Sequence, residues 1–444
     1  MLAALQKGYI MTASFSPKNT RLLADKIYVD NDTHKTLLNN NDLIIGPAGA
    51  GKTRGYVMPN LFSCNESMII ADTKNTLYKT FADYLKKQGI TVYQIDFSGI
   101  SESDIGYNPF DYIKKNSDGS YNEFDILLMA EQICPMHTIS DPYWDISAKY
   151  VIASMIAYVC ECLPQNEHSI ASLAQIATDF STYESLLDEL AIKNSNSIAV
   201  KYYNVMKAAR NADKTFACIA SFVFEKLIPL DNKASNALFN APKRLCINSL
   251  ADKKSVLFLN ISDTNHSSDT LISLFYSQAL SSLMTYADIS HTNRLNVPVR
   301  FIFDDFAAGT TLPNFDKIIS VIRSREIYVS IIIQSLSQLE SLYSKPAAQT
   351  IVNNCDHWLY LGGHDLETIS QISLKADKMP KNIANMPLDK VLIFERGKPA
   401  VFASKYDISM CDGYKDLCTH HTDISSKDNN DYTYQYDGYD LPFA

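Results

Sequence analysis

The chain has 444 residues, enough for two or three domains, and its apolar share of 46% is ordinary for a globular protein. Its net charge of −9 argues against nucleic-acid binding through bulk electrostatics. The nine cysteines have no framework spacing, which favours a reducing compartment over a disulfide scaffold. No apolar run reaches the roughly 18 residues of a membrane span, and no signal peptide is recognisable. The sequence therefore predicts a soluble, intracellular protein.

Residues 1–38 form an N-terminal extension in which we predict no transmembrane helix. Asn41–Ile45 then predicts a short buried strand, followed by Gly-Pro-Ala-Gly-Ala-Gly-Lys-Thr at residues 46–53. This octapeptide matches the phosphate-binding pattern G-x-x-x-x-G-K-[ST], the P-loop. We expect a helix to open at Thr53 and expect Pro59 to end or kink it within two turns.

The octapeptide predicts a nucleoside triphosphate site for ATP with Mg²⁺. Its glycines let backbone N–H groups turn towards phosphate oxygens, and the helix start adds a favourable dipole. Lys52 is expected to reach the β- and γ-phosphates, and Thr53 is expected to bind Mg²⁺. The predicted nucleotide-binding residues are Gly46, Pro47, Ala48, Gly49, Ala50, Gly51, Lys52 and Thr53.

Short β-branched runs alternate with amphipathic segments along much of the chain, which is typical of a mostly parallel α/β sheet. Between residues 111 and 249 helical periodicity dominates, and we predict an inserted all-α domain there. The sheet domain would then comprise residues 39–110 and 250–406. The predicted strands are Asp42–Ile45, Ser67–Ala71, Thr91–Ile95, Val256–Ile261, Arg300–Phe303, Tyr328–Ile333 and Trp358–Leu361.

The end of the chain predicts a hairpin and then a tail. Val391–Phe394 and Ala400–Ala403 flank a turn sequence, which favours two antiparallel strands. Residues 407–444 are poor in aliphatic side chains, and from residue 412 onwards they contain seven Asp and two Lys. We interpret them as a flexible acidic tail, either solvated or docking a basic partner.

A second acidic motif follows the apolar run Arg300–Phe303. We expect this strand to lie beside the P-loop strand, with Asp304 helping to hold Mg²⁺ and Asp305 polarising the attacking water. A Glu at position 305 would reach about 1.5 Å further, and a misplacement of that size can lower catalysis about a hundredfold. An Asp-rich turn without a metal role is the alternative interpretation.

Three further positions are candidates for catalytic roles. Gln334 follows the strand Tyr328–Ile333 and either senses the γ-phosphate or orients water, or simply caps the strand. Arg323 and Arg325 end the preceding helix, where cations suit the helix dipole. The other interpretation is an arginine finger that reaches the γ-phosphate bound by a neighbouring subunit.

With these residues in place, the chain resembles the type IV secretion coupling proteins, the TraG/TraD family of conjugation ATPases. The matching stretches are Gly46–Arg54, Pro59–Leu61, Gly106–Pro109, Asp141–Trp144, Phe303–Ala307, Arg323–Arg325, Ile333–Ser335, Asn353–Asp356 and Leu361–Gly362. The P-loop alone occurs in very many families, but this ordered set is far more specific.

The resemblance implies an α/β, RecA-like P-loop NTPase with a mostly parallel sheet and an inserted all-α domain, assembled as a homo-hexamer. Members use ATP hydrolysis to pass relaxase-bound, single-stranded DNA to a type IV secretion channel at the cytoplasmic side of the plasma membrane. By motif position, Lys52 and Thr53 contact phosphate and Mg²⁺, and Asp304 and Asp305 form the second acidic motif. Gln334 corresponds to the sensor, and Arg323 is the best candidate for the arginine finger.

Three departures from the family pattern keep other functions open. Asp305 stands where members usually have Glu, and Asp72-Thr73-Lys74-Asn75 stands where many read Asp-Pro-Lys-Gly. Most members also have N-terminal transmembrane helices, so this chain would be shortened or would reach the membrane through a partner. The alternatives are an ATP-binding adaptor that hydrolyses weakly and docks substrates, and a HerA/FtsK-type DNA translocase outside conjugation.

Overall fold

The computed structural model describes residues 19–99, 103–135, 143–207, 213–262, 264–304, 306, 311–411, 413–414 and 417. Within them the strands are β1 Thr20–Ala24, β2 Ile27–Asp30, β3 Asp42–Ile45, β4 Ser67–Asp72, β5 Thr91–Asp96, β6 Ser255–Asn260, β7 Val299–Phe303, β8 Ile327–Ile333, β9 His357–Tyr360, β10 Lys390–Glu395 and β11 Val401–Ser404.

The helices of the same residues lie mostly between strands. They are α1 Thr33–Thr36, α2 Met58–Ser63, α3 Thr76–Lys87, α4 Glu123–Ile133, α5 Tyr143–Cys162, α6 Ile170–Thr178, α7 Phe180–Lys193, α8 Ile198–Lys207, α9 Asp213–Leu227, α10 Lys233–Phe239, α11 Ser249–Asp252, α12 Asp269–Ile289, α13 Phe315–Ile319, α14 Leu336–Leu342, α15 Lys345–Asn353, α16 Leu366–Ala376 and α17 Pro380–Ala384.

Nine strands form one sheet in the order β11-β10-β9-β3-β8-β7-β4-β6-β5. The pairs from β9 across to β5 are parallel, whereas β10 pairs antiparallel with both β9 and β11. The predicted strands, the mostly parallel sheet and the terminal hairpin are therefore confirmed.

One expectation about strand order is wrong. Strand β8 lies between the P-loop strand β3 and the acidic strand β7, so those two strands are not direct neighbours. All seven residues of β8 are buried. Such an apolar strand is favoured at the centre of a parallel sheet that is covered on both faces.

Helices cover both faces of the sheet and create two cores. Alternate side chains of a strand point to opposite faces, so Leu43 and Ile45 enter one core while Ile44 enters the other. The larger core continues into the helical segment between residues 111 and 249. There α4, α6, α8 and α9 pack around α5, and 12 of the 20 residues of α5 are buried.

The chain enters and leaves the helical segment at one tight junction. Gly106 N donates to Lys243 O and Leu245 N donates to Gly106 O, both at 2.8 Å. A Cβ on Gly106 would lie 2.5 Å from the Ala241 Cβ and 2.6 Å from the Leu238 carbonyl oxygen. Only glycine therefore fits where the two chain crossings meet.

We predict that Gly106→Ala lowers the free energy of unfolding by about 1–3 kcal/mol, because the added methyl group overpacks the junction. Chemical denaturation of the two proteins measures the difference. Gly363→Ala is the matched control, since its Cβ would meet the Tyr360 hydroxyl at an ordinary 3.7 Å. Equal midpoints for Gly106→Ala and the unmodified chain would contradict the prediction.

Both ends of the described chain pack against the sheet domain in ways that the sequence patterns did not predict. The extension contains the antiparallel hairpin β1–β2, in which Leu22 and Leu23 are buried. Past residue 406, Ile408 and Leu417 are also buried, so the packed chain continues into the predicted tail. Residues 418–444 of that tail lie outside the described residues.

Candidate functional site

The P-loop sits at the carboxyl edge of the parallel sheet. Gly46 N donates to Ile333 O at 3.1 Å, which joins the loop to the neighbouring strand β8. Gly49 and Gly51 have φ angles of +77° and +85°, a region that other residues adopt only under strain. These two glycines let successive peptide groups turn, as a phosphate-binding loop requires.

The helix after the loop begins where the sequence predicts but passes Pro59. Residues Thr53–Val57 form a π-helical turn, in which Met58 N donates to Thr53 O, and α2 follows directly. Proline lacks an N–H and its ring crowds the carbonyl four residues earlier, and a local π-turn accommodates both effects. Of the two expected outcomes, an end or a kink at Pro59, the end is not found: the helix continues to Ser63 and stops at a left-handed Cys64, and the π-turn is the distortion beside Pro59.

The side chain of Lys52 is hydrogen-bonded to the backbone of its own P-loop. It is 9% exposed, and its Nζ donates to Gly46 O at 2.8 Å and to Pro47 O at 3.2 Å. An ammonium group has three donors, so two of them orient the side chain and one is left for a ligand. This arrangement suits a fixed positive charge above the loop.

The structure brings the predicted metal residues together. Thr53 Oγ1 donates to Asp304 Oδ2 at 2.8 Å, although 251 positions separate them in the sequence. Asp304 follows β7, whose five residues are all buried, so its backbone position is fixed by a rigid strand. A hydroxyl and a carboxylate oxygen are ligands that Mg²⁺ prefers, and the two residues fit a shared magnesium ion.

The other predicted catalytic residues lie in different places. Gln334 follows β8 at the P-loop edge, where it is exposed and its backbone N donates to Gln338 Oε1 at 3.1 Å. Arg323 precedes β8 and therefore lies at the opposite edge, about 20 Å away along the strand. It cannot reach the P-loop of its own chain. Asp305 lies outside the described residues.

Arg323 and Arg325 differ in their local partners. Arg325 forms a two-point ion pair with Asp288, with Nε to Oδ1 at 2.7 Å and Nη2 to Oδ2 at 3.0 Å. Within the described residues, the hydrogen bond of Arg323 is a long one, 3.4 Å from Nη2 to the Thr33 carbonyl oxygen. Arg323 is therefore the less constrained of the two guanidinium groups.

Three charged residues of the site were not assigned a role from the sequence. A cavity of about 410 Å³ beside the P-loop is lined by Lys52, Arg54 and Lys74 together with Asp72 and Asp304. Cations and carboxylates face one space, as expected where phosphate and a metal ion bind together. The position of Asp72 at the end of β4 was the available signal, because ligands of open α/β sheets bind outside the carboxyl ends of strands.

Asp72 anchors the loop after β4. Its carboxylate accepts hydrogen bonds from the backbone N–H groups of Thr76 and Tyr78, at 3.0 and 2.9 Å, at the start of α3. Burial raises the pKa of Asp72, although these backbone hydrogen bonds oppose the rise. The contacts hold Lys74, which is exposed, at the wall of the cavity.

Residues 4–378 match the family profile described as "Type IV secretory system Conjugative DNA transfer". The match spans 375 of the 444 residues. The chain belongs to this conjugative DNA-transfer family. The resemblance predicted from the sequence is therefore confirmed.

Solved structures show the same fold at low sequence identity. The bacterial conjugative coupling protein TrwBdeltaN70, in an unbound monoclinic form, is 17% identical with a TM-score of 0.65; the match covers 88% of this chain and 89% of that one. The plasmid coupling protein TrwB in complex with ADP and Mg²⁺ is 17% identical with a TM-score of 0.66, over 87% and 88% of the two chains. VirB4 of Thermoanaerobacter pseudethanolicus is 13% identical with a TM-score of 0.55, over 88% and 97%.

These matches confirm the predicted RecA-like α/β fold class. No curated protein matches the sequence significantly. In the part of the chain that the structure describes, no helix combines the length and apolar character needed to cross a bilayer.

In this conjugative DNA-transfer protein a buried ionic cluster lies under the site, at the amino ends of the strands. Asp42, the first residue of β3, is fully buried. Its carboxylate accepts hydrogen bonds from Arg21 Nε and Nη2 at 2.6 and 2.7 Å. It also accepts one from Arg300 Nη1 at 3.3 Å. Arg300 Nη1 also donates to Ser330 Oγ of β8 at 3.1 Å, so one guanidinium group spans β7, β8 and β3.

The cluster also ties the P-loop helix to its own strand. Tyr56 Oη donates to Asp42 Oδ2 at 2.5 Å. Burial would raise the pKa of Asp42, but Arg21, His357 and Arg300 together hold it well below its usual range. Asp42 is therefore a carboxylate at all physiological pH values.

We predict that Asp42→Asn lowers the free energy of unfolding by about 3–5 kcal/mol at pH 7, because two buried cations lose their shared anion. The folded pKa of Asp42 is depressed, so its stabilisation is complete above the unfolded value of about 4 and is lost as the pH falls below it. The difference between the two proteins should therefore shrink in acid.

Denaturation curves at several pH values measure this effect. Asp389→Asn is the control, because the Asp389 side chain is 71% exposed and its ion pair is with neighbouring Lys390; we expect a change within about 0.5 kcal/mol. A stability loss for Asp42→Asn that stays constant from pH 7 to pH 3 would refute the ionic explanation.

Proposed function

We propose that this chain binds ATP with Mg²⁺ between the P-loop and Asp304 and hydrolyses it to move DNA towards a type IV secretion channel. The hydrogen bond between Thr53 and Asp304 carries the proposal, because it joins the phosphate-binding loop and the second acidic motif in one site. TrwB, whose fold this chain shares, has been solved with ADP and Mg²⁺ and with a non-hydrolysable ATP analogue.

Each predicted residue receives a defined task in this proposal. Lys52 and the loop N–H groups would hold the phosphates, and Thr53 and Asp304 would hold Mg²⁺. Bound Mg²⁺ would neutralise phosphate charge that develops during transfer. Asp305 would orient the attacking water and Gln334 would sense the terminal phosphate; the order of the motifs along the chain supports these two roles.

The location of Arg323 supports a ring of identical subunits, for which we propose a hexamer. An arginine at the far edge of the sheet serves a P-loop only when it belongs to a neighbouring copy. Head-to-tail contacts of this kind form a ring when the rotation between neighbouring subunits closes. The helical segment at residues 111–249 would form an inserted all-α domain that selects relaxase-bound, single-stranded DNA. The ring would work at the cytoplasmic side of the membrane through partners.

The family match favours conjugation over the HerA/FtsK type of translocase. An ATP-binding adaptor with weak turnover is a second candidate, favoured by Asp305 in place of the usual Glu. The two functions differ in whether the protein hydrolyses ATP in response to DNA.

We predict that single-stranded DNA stimulates ATP turnover of the purified protein and that Lys52→Ala lowers this turnover by about a hundredfold or more, because the charged phosphate contact is lost. A coupled assay of phosphate release, with and without DNA, measures both effects. Asp305→Glu is assayed beside them. Absence of turnover in the unmodified chain, together with activity in Asp305→Glu, would exclude the motor and support the adaptor.

We predict that Arg323→Ala abolishes turnover but leaves ATP binding unchanged, whereas Arg325→Ala retains turnover because Arg325 is paired with Asp288 in its own chain. Mixing Arg323→Ala with Lys52→Ala should restore activity, since up to about a quarter of the interfaces combine an intact loop with an intact arginine. Full activity of Arg323→Ala alone would contradict a role in trans. Mass measurements with an ATP analogue report whether the ring forms.

A further inference from the structure

A lysine that follows the last strand of the sheet contacts the backbone of the P-loop. Lys405 follows the last strand of the sheet, β11, and its Nζ donates to the carbonyl oxygen of Ala50 at 2.8 Å. Ala50 and Gly51 line the cavity beside the loop, whereas Lys405 is not among the described residues that line it. The ammonium group therefore contacts the loop outside this cavity.

This contact determines how one peptide group of the loop is oriented. The carbonyl of Ala50 and the N–H of Gly51 belong to the same peptide, and in a trans peptide they point in opposite directions. Because Lys405 holds the carbonyl, the Gly51 N–H on the opposite side of the peptide points away from Lys405, and Gly51 lines the cavity. Gly51 has φ +85°, and glycine places few steric limits on this angle, so a contact to the carbonyl can decide the orientation of the peptide.

Lys405 is itself held firmly enough to act as that constraint. Its backbone N donates a hydrogen bond to Asp389 O at 2.8 Å. The carbonyl oxygen of the preceding residue, Ser404, accepts a hydrogen bond from Asp25 N at 3.1 Å. The side chain is half-buried. Burial lowers the pKa of Lys405, and Asp389 partly offsets this.

The chain after Lys405 continues across the P-loop helix. Asp407 lies close enough to Arg54 for the arginine to lower its pKa, after the larger effect of the Ser409 hydrogen bonds. Further on, Gly413 packs so closely against Phe62 that a Cβ would lie 2.8 Å from the ring. Residues 405–411 and 413 therefore lie near the loop and its helix.

We propose that Lys405 is a positioning residue of the nucleotide site: it fixes the Ala50–Gly51 peptide so that the Gly51 N–H meets a phosphate oxygen. The inference rests on the proposed function, because it assumes that the P-loop binds ATP. It adds a residue from outside every motif of the sequence, 355 positions from the carbonyl that it holds. It also makes the last strand of the sheet part of the phosphate-binding apparatus.

The test compares Lys405→Met, which removes the ammonium group at similar length, with Lys405→Arg, which retains a charged donor. We expect Lys405→Met to weaken binding of a fluorescent ATP analogue about tenfold, the effect of losing one charge-assisted constraint. ADP should lose affinity equally, because the Gly51 N–H contacts phosphate. The thermal midpoint of the nucleotide-free protein should not change, and KM should rise while kcat changes less than about twofold, as for an interaction shared by ground and transition states.

Lys390→Met is the matched control. Lys390 Nζ donates to Ser404 Oγ at 3.0 Å in the same strand pair but does not touch the loop. We expect Lys390→Met to bind like the unmodified chain and Lys405→Arg to recover affinity to within about threefold of it.

Three results would overturn the inference. Equal ATP affinity of Lys405→Met and the unmodified chain would show that Lys405 does not orient the loop. An equal loss in Lys390→Met would show a general effect of the hairpin. An unmodified chain that fails to bind ATP at all would overturn the proposed function, and this inference with it.

Discussion

One buried carboxylate holds the two halves of the candidate site in register. Asp42 begins the P-loop strand, and Arg300 lies near the start of the acidic strand; four residues further along come Gly46 and Asp304 respectively. Since strands are stiff, the link through Arg300 and Ser330 at one edge controls where the tips lie at the other. The meeting of Thr53 and Asp304 therefore depends on charges at the far end of the sheet.

Local patterns explain how much of the fold the sequence predicts. The β-branched runs at Ser67–Ala71 and Tyr328–Ile333 identify strands because alternation and burial are properties of a few consecutive residues. The octapeptide at residues 46–53 is equally local, since turn, lysine and helix start are adjacent in the chain. Asp304 could be placed because an acid directly follows an apolar strand.

Features that depend on distant residues left no such pattern. The position of β8 between β3 and β7 depends on how helices cover both faces of the whole sheet. No short stretch of the sequence indicates this strand order. Arg21 lies in a segment without a recognisable motif, yet its partner Asp42 is 21 residues away and fully buried. Asp72 received no role from the sequence, although its place at a strand end resembles that of Asp304.

The junction at Gly106 has a consequence for how this architecture tolerates change. The outgoing and returning chains are hydrogen-bonded neighbours there. The whole helical segment is therefore attached to the sheet domain like one long loop whose two ends lie side by side. Changes at exposed turns of that segment can therefore be accommodated without moving any strand that carries the site. The helical segment can thus diverge between relatives while the sheet stays the same.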